Sequence, residues 1–166
     1  MSIWISIPIL GSLLILQTVI LSRITLLHGS ADLIMLAVIS WALQKRVKTA
    51  WFWAIIGGLL VGVVSAVPFF IPVLGFLMII AIAAVLRQRV WQVPILAMFV
   101  TTFIGTLVVQ IISAIALNIS GTPLEIFDVL FLITLPSLLL NLLLAAPIYF
   151  LFGDLAKWLY PGELTT

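Results

Sequence analysis

Ala54-Ile-Ile-Gly-Gly-Leu-Leu-Val-Gly-Val-Val-Ser-Ala66 lies in the middle of an apolar run without a single charge. In a helix, residues four apart stack on one face, so Ala54, Gly58, Gly62 and Ala66 form a stripe with almost no side chain. Inside lipid no hydrophobic force draws helices together, and close approach along such a groove becomes a main source of attraction. The plain reading puts this helix at the centre of the protein's own bundle. The sharper reading has the groove receive a helix from another chain. Sequence leaves both open.

Composition decides the class. Of 166 residues, 65% are hydrophobic and 7% charged, and the mean hydropathy is +1.45. A water-soluble domain carries roughly a quarter of its residues as charges. The chain therefore reads as one all-α integral membrane domain over residues 1–166, with gaps too short for a separate soluble unit. It has no cysteine, which removes disulfides and thiolate metal sites. No basic residue precedes the first apolar run and no small-x-small cleavage site follows it, so that run is expected to be a retained span.

A helical span needs about 20 mostly apolar residues to cross roughly 30 Å of hydrocarbon. Six segments meet that measure, at about 3–21, 30–44, 49–67, 72–86, 93–117 and 125–152. The second is short, and Ser30 or Asp32 is placed to cap its start. Pro68-Phe-Phe-Ile-Pro72 marks a bend, Pro94 suits a first helical turn, and Asn118-Ile-Ser-Gly-Thr-Pro123 is a break. The sixth segment contains Pro136, which predicts either a kinked helix or an interfacial stretch followed by a shorter span.

Lys and Arg in the short loops set orientation. Lys45, Arg46 and Lys48 follow the second span, Arg87 and Arg89 the fourth, and Lys157 the sixth, whereas Arg23 alone falls on the other side. Both termini are therefore expected in the cytoplasm. The opposite face carries His28, Asp32, Glu125 and Asp128. Basic clusters of this kind also attract anionic lipid, by about 1 kcal/mol per cation. Trp41, Trp51, Trp53, Trp91 and Trp158 fall near the predicted cytoplasmic ends, as an interfacial aromatic belt would.

Chemistry is sparse. An ionisable residue deep in the membrane would be a functional hypothesis by default, and none of the Lys, Arg, Asp or Glu residues falls at the middle of a predicted span. Ion-coupled carriers with internal repeats and paired broken helices are not matched. Asp32, Glu125 and Asp128 lack the Asn- and Gly-rich surroundings of membrane aspartyl peptidases. The single His28 gives neither a base-nucleophile pair nor a ligand set, and Gly57-Gly58 has no following Lys-Ser or Lys-Thr to make a phosphate loop. The chain reads as non-enzymatic, without cofactor or metal, and nucleic acid is not an expected partner. Uncharged polar groups remain within the spans: Gln17, Thr101, Thr102, Thr106, Gln110, Ser113, Ser137 and Asn141. Ser137, Asn141 and Ala145 are spaced by four, a second small polar stripe. An amide facing lipid leaves donors unpaired at several kcal/mol, so Gln110 and Asn141 are expected to face protein, as structural glue or as contacts with a partner or ligand.

In order, these pieces resemble the bacterial rod shape-determining MreD family. Ala31-Asp32-Leu33-Ile34-Met35-Leu36 is similar to that family's Pro-Asp followed by leucines. Gly58-Leu-Leu-Val-Gly62-Val-Val-Ser65, a Pro-containing bend and a helix ending in Arg87-Gln-Arg89 resemble its central segment. Pro136-Ser-Leu-Leu-Leu-Asn141-Leu-Leu-Leu-Ala-Ala-Pro147 resembles its closing Pro-Ser-x-x-x-Asn and downstream Pro. Many relatives have an acidic residue at the position of Gly62 and a proline at that of Ala31; a contact made by that acid would be made here by closer helix approach. The resemblance implies a six-helix fold similar to the substrate-binding subunits of energy-coupling-factor vitamin transporters, in the bacterial cytoplasmic membrane. It implies a scaffold of the cell-elongation machinery that binds the transmembrane helix of MreC and, through it, RodA, a class B penicillin-binding protein and the MreB filament. Docking of MreC, or a homodimer contact, is then expected along Ala54, Gly58, Gly62 and Ala66. A vitamin- or metabolite-binding transporter subunit is the alternative, with an outward pocket near His28, Asp32, Gln110, Asn118 or Glu125. A third possibility, a membrane enzyme, requires outer-face carboxylates to converge.

Overall fold

A computed structural model describes residues 2–19, 29–45, 47–89, 93–121 and 125–160. Arg23, His28, Arg46, Trp91 and Pro123 lie outside the described residues. The order of elements is α1 (Ser2–Val19), α2 (Leu33–Leu43), α3 (Ala50–Val64), α4 (Phe70–Arg89), α5 (Pro94–Ile119), a single turn α6 (Ile126–Asp128), a π-helix (Val129–Thr134) and α7 (Leu135–Leu159). The last three run on without a break, so the described residues form six helical rods and no sheet. Three rods, α4, α5 and the run ending in α7, are long and apolar enough to cross a bilayer, which suggests a membrane protein; α1, α2 and α3 are shorter apolar helices.

The expected centre is displaced. All eleven residues of α2 are buried, and α2 packs against α1, α3, α4, α5 and α7. A helix that is apolar on every side must be covered on every side, and α2 fits that rule better than α3. On α3, Trp51, Phe52, Ile55, Leu59 and Val63 are exposed. At 1.5 Å per residue α2 is roughly 17 Å long, about half a bilayer core.

Boundaries shift for local reasons. The second helix starts at Leu33 rather than about residue 30, because the chain is non-helical up to its cap, Asp32. The third helix stops at Val64, with Ser65 already extended. The fourth starts before Pro72, at Phe70, since a first-turn proline lacks only an N–H that has no helical partner anyway. Pro136 sits in the first turn of α7, just after the π-helix. The Leu135 N–H reaches back to the Leu130 carbonyl in the wider π register. That widening lets the chain pass a ring that would collide with a regular turn. The sixth segment is thus one continuous rod, with a π stretch where a kink or a separate interfacial piece was the expectation.

Two tryptophans assigned to the interfacial belt are core residues. Trp41 and Trp53 are fully buried and stack at 4.5 Å between centroids, 24° between planes. The edge of Phe152 closes on both, at 6.4 and 6.0 Å. Offset ring pairs of this kind add to their burial. Trp51 and Trp158 remain exposed. This aromatic layer lies towards the end of the bundle that carries Lys45, Arg87 and Lys157, which meet around one cavity. We call it the basic end.

Candidate functional site

Four non-helical residues, Gly29 to Asp32, lead into α2, with Gly29 and Ala31 buried and Ser30 exposed. A non-helical backbone packed among helices needs protein or water partners for its N–H groups. Side chains from distant helices supply them. The Ser30 N–H donates to Ser137 Oγ at 3.1 Å, the Asp32 N–H to Asn141 Oδ1 at 2.8 Å, and the Leu33 N–H to Gln17 Oε1 at 2.8 Å. Asp32 itself caps α2, its Oδ1 accepting from the Met35 N–H at 2.9 Å. Asn141 spends its other half on α5: Nδ2 donates to Thr106 Oγ1 at 3.0 Å, and that hydroxyl donates to the Thr102 carbonyl at 2.8 Å. One amide therefore ties α7, α5 and the start of α2 together.

Gly29 belongs to the same joint. A Cβ there would stand 2.6 Å from the Ser137 nitrogen and 2.7 Å from Pro136 Cβ. No side chain fits, and the strand can lie against α7 only because position 29 has none.

The joint borders a cavity of about 250 Å³ lined by Gln17, Ser30, Asp32, Ser65, Gln110 and Asn141 among others. Its described lining contains one carboxylate and no Lys, Arg or His. Asp32 lies one α2-length, roughly 17 Å, from the basic end. Because α2 is short, its cap Asp32 is half-buried and borders this cavity. The cavity's polar wall gives the carboxylate room for water, without which a buried charge is expensive.

The predicted site residues separate into three sets. Ser137, Asn141 and Ala145 are buried; Ser137 and Asn141 belong to the joint. Ala54 is fully buried. Gly58 and Gly62 are filled from within the chain: a Cβ on Gly58 would be 2.5 Å from Val73 Cα, and one on Gly62 would be 2.7 Å from the Phe69 carbonyl oxygen. The groove closes on the start of α4, leaving no room for a second chain. Ala66 is exposed and lies beyond the end of α3, so the four residues do not form one continuous stripe. Among the topology residues, Arg87 has a structural role that sequence reasoning missed. Its Nη1 donates to the carbonyls of Ala42 and Gln44 at 3.2 and 3.4 Å, capping α2 at the end where a helix dipole favours a cation. Lys157 pairs with Asp154 at 2.9 Å, both well exposed, and Lys45, Lys48 and Arg89 are exposed.

Of the outward pocket expected in the transporter reading, Asp32 and Gln110 line the cavity. Asn118 lines a separate groove with Gln110, and Glu125 is exposed. Glu125 and Asp128 are not part of the cavity wall around Asp32. Among the described residues, no three of His, Cys, Asp and Glu gather as a metal site would require. No family model, curated protein or solved structure matches the chain.

Proposed function

We propose that this chain is a multi-pass scaffold of the bacterial cytoplasmic membrane, crossing it six times with both termini and the basic end in the cytoplasm. It serves the rod-elongation machinery, binding the transmembrane helix of MreC and through it RodA, a class B penicillin-binding protein and the MreB filament. One observation carries the reading. Two of the three segments similar to the MreD family, around Asp32 and around Ser137 and Asn141, are joined by hydrogen bonds across more than a hundred residues. A pairing of this kind serves architecture and leaves function to the surfaces.

The Gly58 and Gly62 groove being occupied by α4, we assign the MreC helix to the open groove between α5 and the π-helix. It has a volume of about 450 Å³ and is walled by Ile111, Ile115, Leu130 and other apolar residues, with Gln110 opening onto it. Gln110 is half-buried, and its amide has no hydrogen-bond partner among the described residues. Gln110 also lines the polar cavity; where it faces the groove, hydrocarbon cannot satisfy its amide, whereas a helix with a polar side chain can. The test is affinity capture of the tagged chain from native membranes, comparing wild type with Ile115→Trp, which fills the groove. Recovery of MreC with the wild type and its loss with the variant is expected; equal recovery from both would remove the assignment, and absence of MreC from both would remove the function.

A second reading, the substrate-binding subunit of an energy-coupling-factor transporter, is favoured by one feature: the polar cavity beside Asp32. Mass spectrometry of gently purified protein distinguishes it by a stoichiometric small molecule, lost on Asp32→Asn.

A further inference from the structure

The basic end contains a cavity of about 270 Å³ between α2, α4, α5 and α7. We propose that it binds a phosphate-bearing anion: the headgroup of an anionic phospholipid from the adjoining leaflet, or free phosphate. The inference is independent of the scaffold and transporter readings.

Three cationic side chains line the cavity, Lys45, Arg87 and Lys157. Arg87 is half-buried and commits only Nη1 to the α2 carbonyls. A guanidinium has five N–H donors in a planar fork suited to phosphate oxygens, and the rest of this fork has no partner among the described residues. Lys157 is held by Asp154, but exposed pairs are weak, and a phosphate offers its ammonium a doubly useful alternative. Beside them the Gln44 side chain lines the cavity, and its Nε2 is buried without an acceptor. An orphaned buried donor costs free energy until something accepts from it, and an anion's oxygen does so.

The walls fit the rest of a lipid. Leu43, Pro94, Ala97 and Ala156 are apolar, and position 153 is glycine; a Cβ there would come to 3.6 Å from Gln44 Nε2, into the space a headgroup needs. At about 30 Å³ per water, the cavity holds roughly nine waters' worth of volume, enough for a phosphate with its glycerol. Basic pockets between helices at a membrane's cytoplasmic side are a known form of lipid recognition.

The experiment uses the full chain in nanodiscs of phosphatidylcholine with or without phosphatidylglycerol, counting lipids retained after gentle release by native mass spectrometry. Wild type should retain phosphatidylglycerol over phosphatidylcholine. Lys157→Gln should weaken that preference roughly fivefold, and Gly153→Leu, which changes no charge, should abolish it. Arg89→Gln, equal in charge to Lys157→Gln but outside the cavity wall, should leave it intact. If inorganic phosphate instead raises the melting temperature in pure phosphatidylcholine, with the same sensitivity to Lys157→Gln and Gly153→Leu, the anion is soluble phosphate. Equal effects of Arg89→Gln and Lys157→Gln would reveal diffuse surface attraction and overturn the proposal, as would a lipid preference and a phosphate response both unchanged by Gly153→Leu in protein that elutes as the wild type does.

Discussion

Asn141 is the residue on which most depends. Its carbonyl oxygen accepts from the Asp32 N–H and its amino group donates to Thr106, and the side chain is almost fully buried. Replacing it with leucine removes both partners' bonds at once and leaves a buried backbone donor unpaired. Asn141→Leu should therefore destabilise the bundle by about 2–3 kcal/mol, read as a fall in thermal melting temperature in detergent. Ser137→Ala removes a single bond to the Ser30 N–H and should cost about 1 kcal/mol; an effect as large as that of Asn141→Leu would mean that the non-helical stretch before α2, more than the amide, sets the stability of the joint. That Asn141 must face protein was legible from the cost of an amide in lipid. Which groups it meets was not, because Asp32 and Thr106 are recognisable as partners only once α2 is known to begin inside the bundle.

Among the elements, the hairpin of α3 and α4 makes the contrast between glycines measurable. Gly58 faces the α4 backbone at a distance no side chain tolerates, whereas a Cβ on Gly11 of α1 would meet nothing within 4 Å. Gly58→Leu should force the two helices apart and cost about 3 kcal/mol or more, and Gly11→Leu should leave the melting temperature within a degree or two. If Gly58→Leu melts like the wild type, α4 does not close that groove. Hydropathy found the rods because it is a local property of about 20 residues. Their arrangement was hidden because an apolar surface looks alike whether it meets lipid or another helix. The small-residue stripe drew attention to α3, yet it marked a tight pair and not the hub. The better signal for α2 was its length: an apolar helix too short to cross a bilayer on its own, preceded by Gly29-Ser-Ala-Asp32, has to be enclosed.

Across the whole molecule, rods alternating in direction put Lys45, Arg87 and Lys157 around one cavity and Gln17, Ser65 and Asn141 around the other. The natural absence of cysteine makes orientation directly testable. With a membrane-impermeant thiol reagent applied to intact spheroplasts, Asp128→Cys should be labelled and Lys48→Cys should be labelled only after lysis. The reverse pattern would invert the topology read from the loop charges. Arg87→Gln should leave orientation unchanged but speed amide hydrogen exchange across residues 42–45, where α2 loses its cap.

The reliance of α2 on α7 also bears on synthesis. The Asp32 N–H is satisfied by a residue 109 positions further along the chain, so the ribosome will have made most of the protein before this N–H has its partner. A nascent chain ending before residue 135 would hold an apolar half-length segment with the Ser30 and Asp32 N–H groups bare ahead of it, a form that membrane proteases should remove quickly and that an insertase or chaperone would have to shelter.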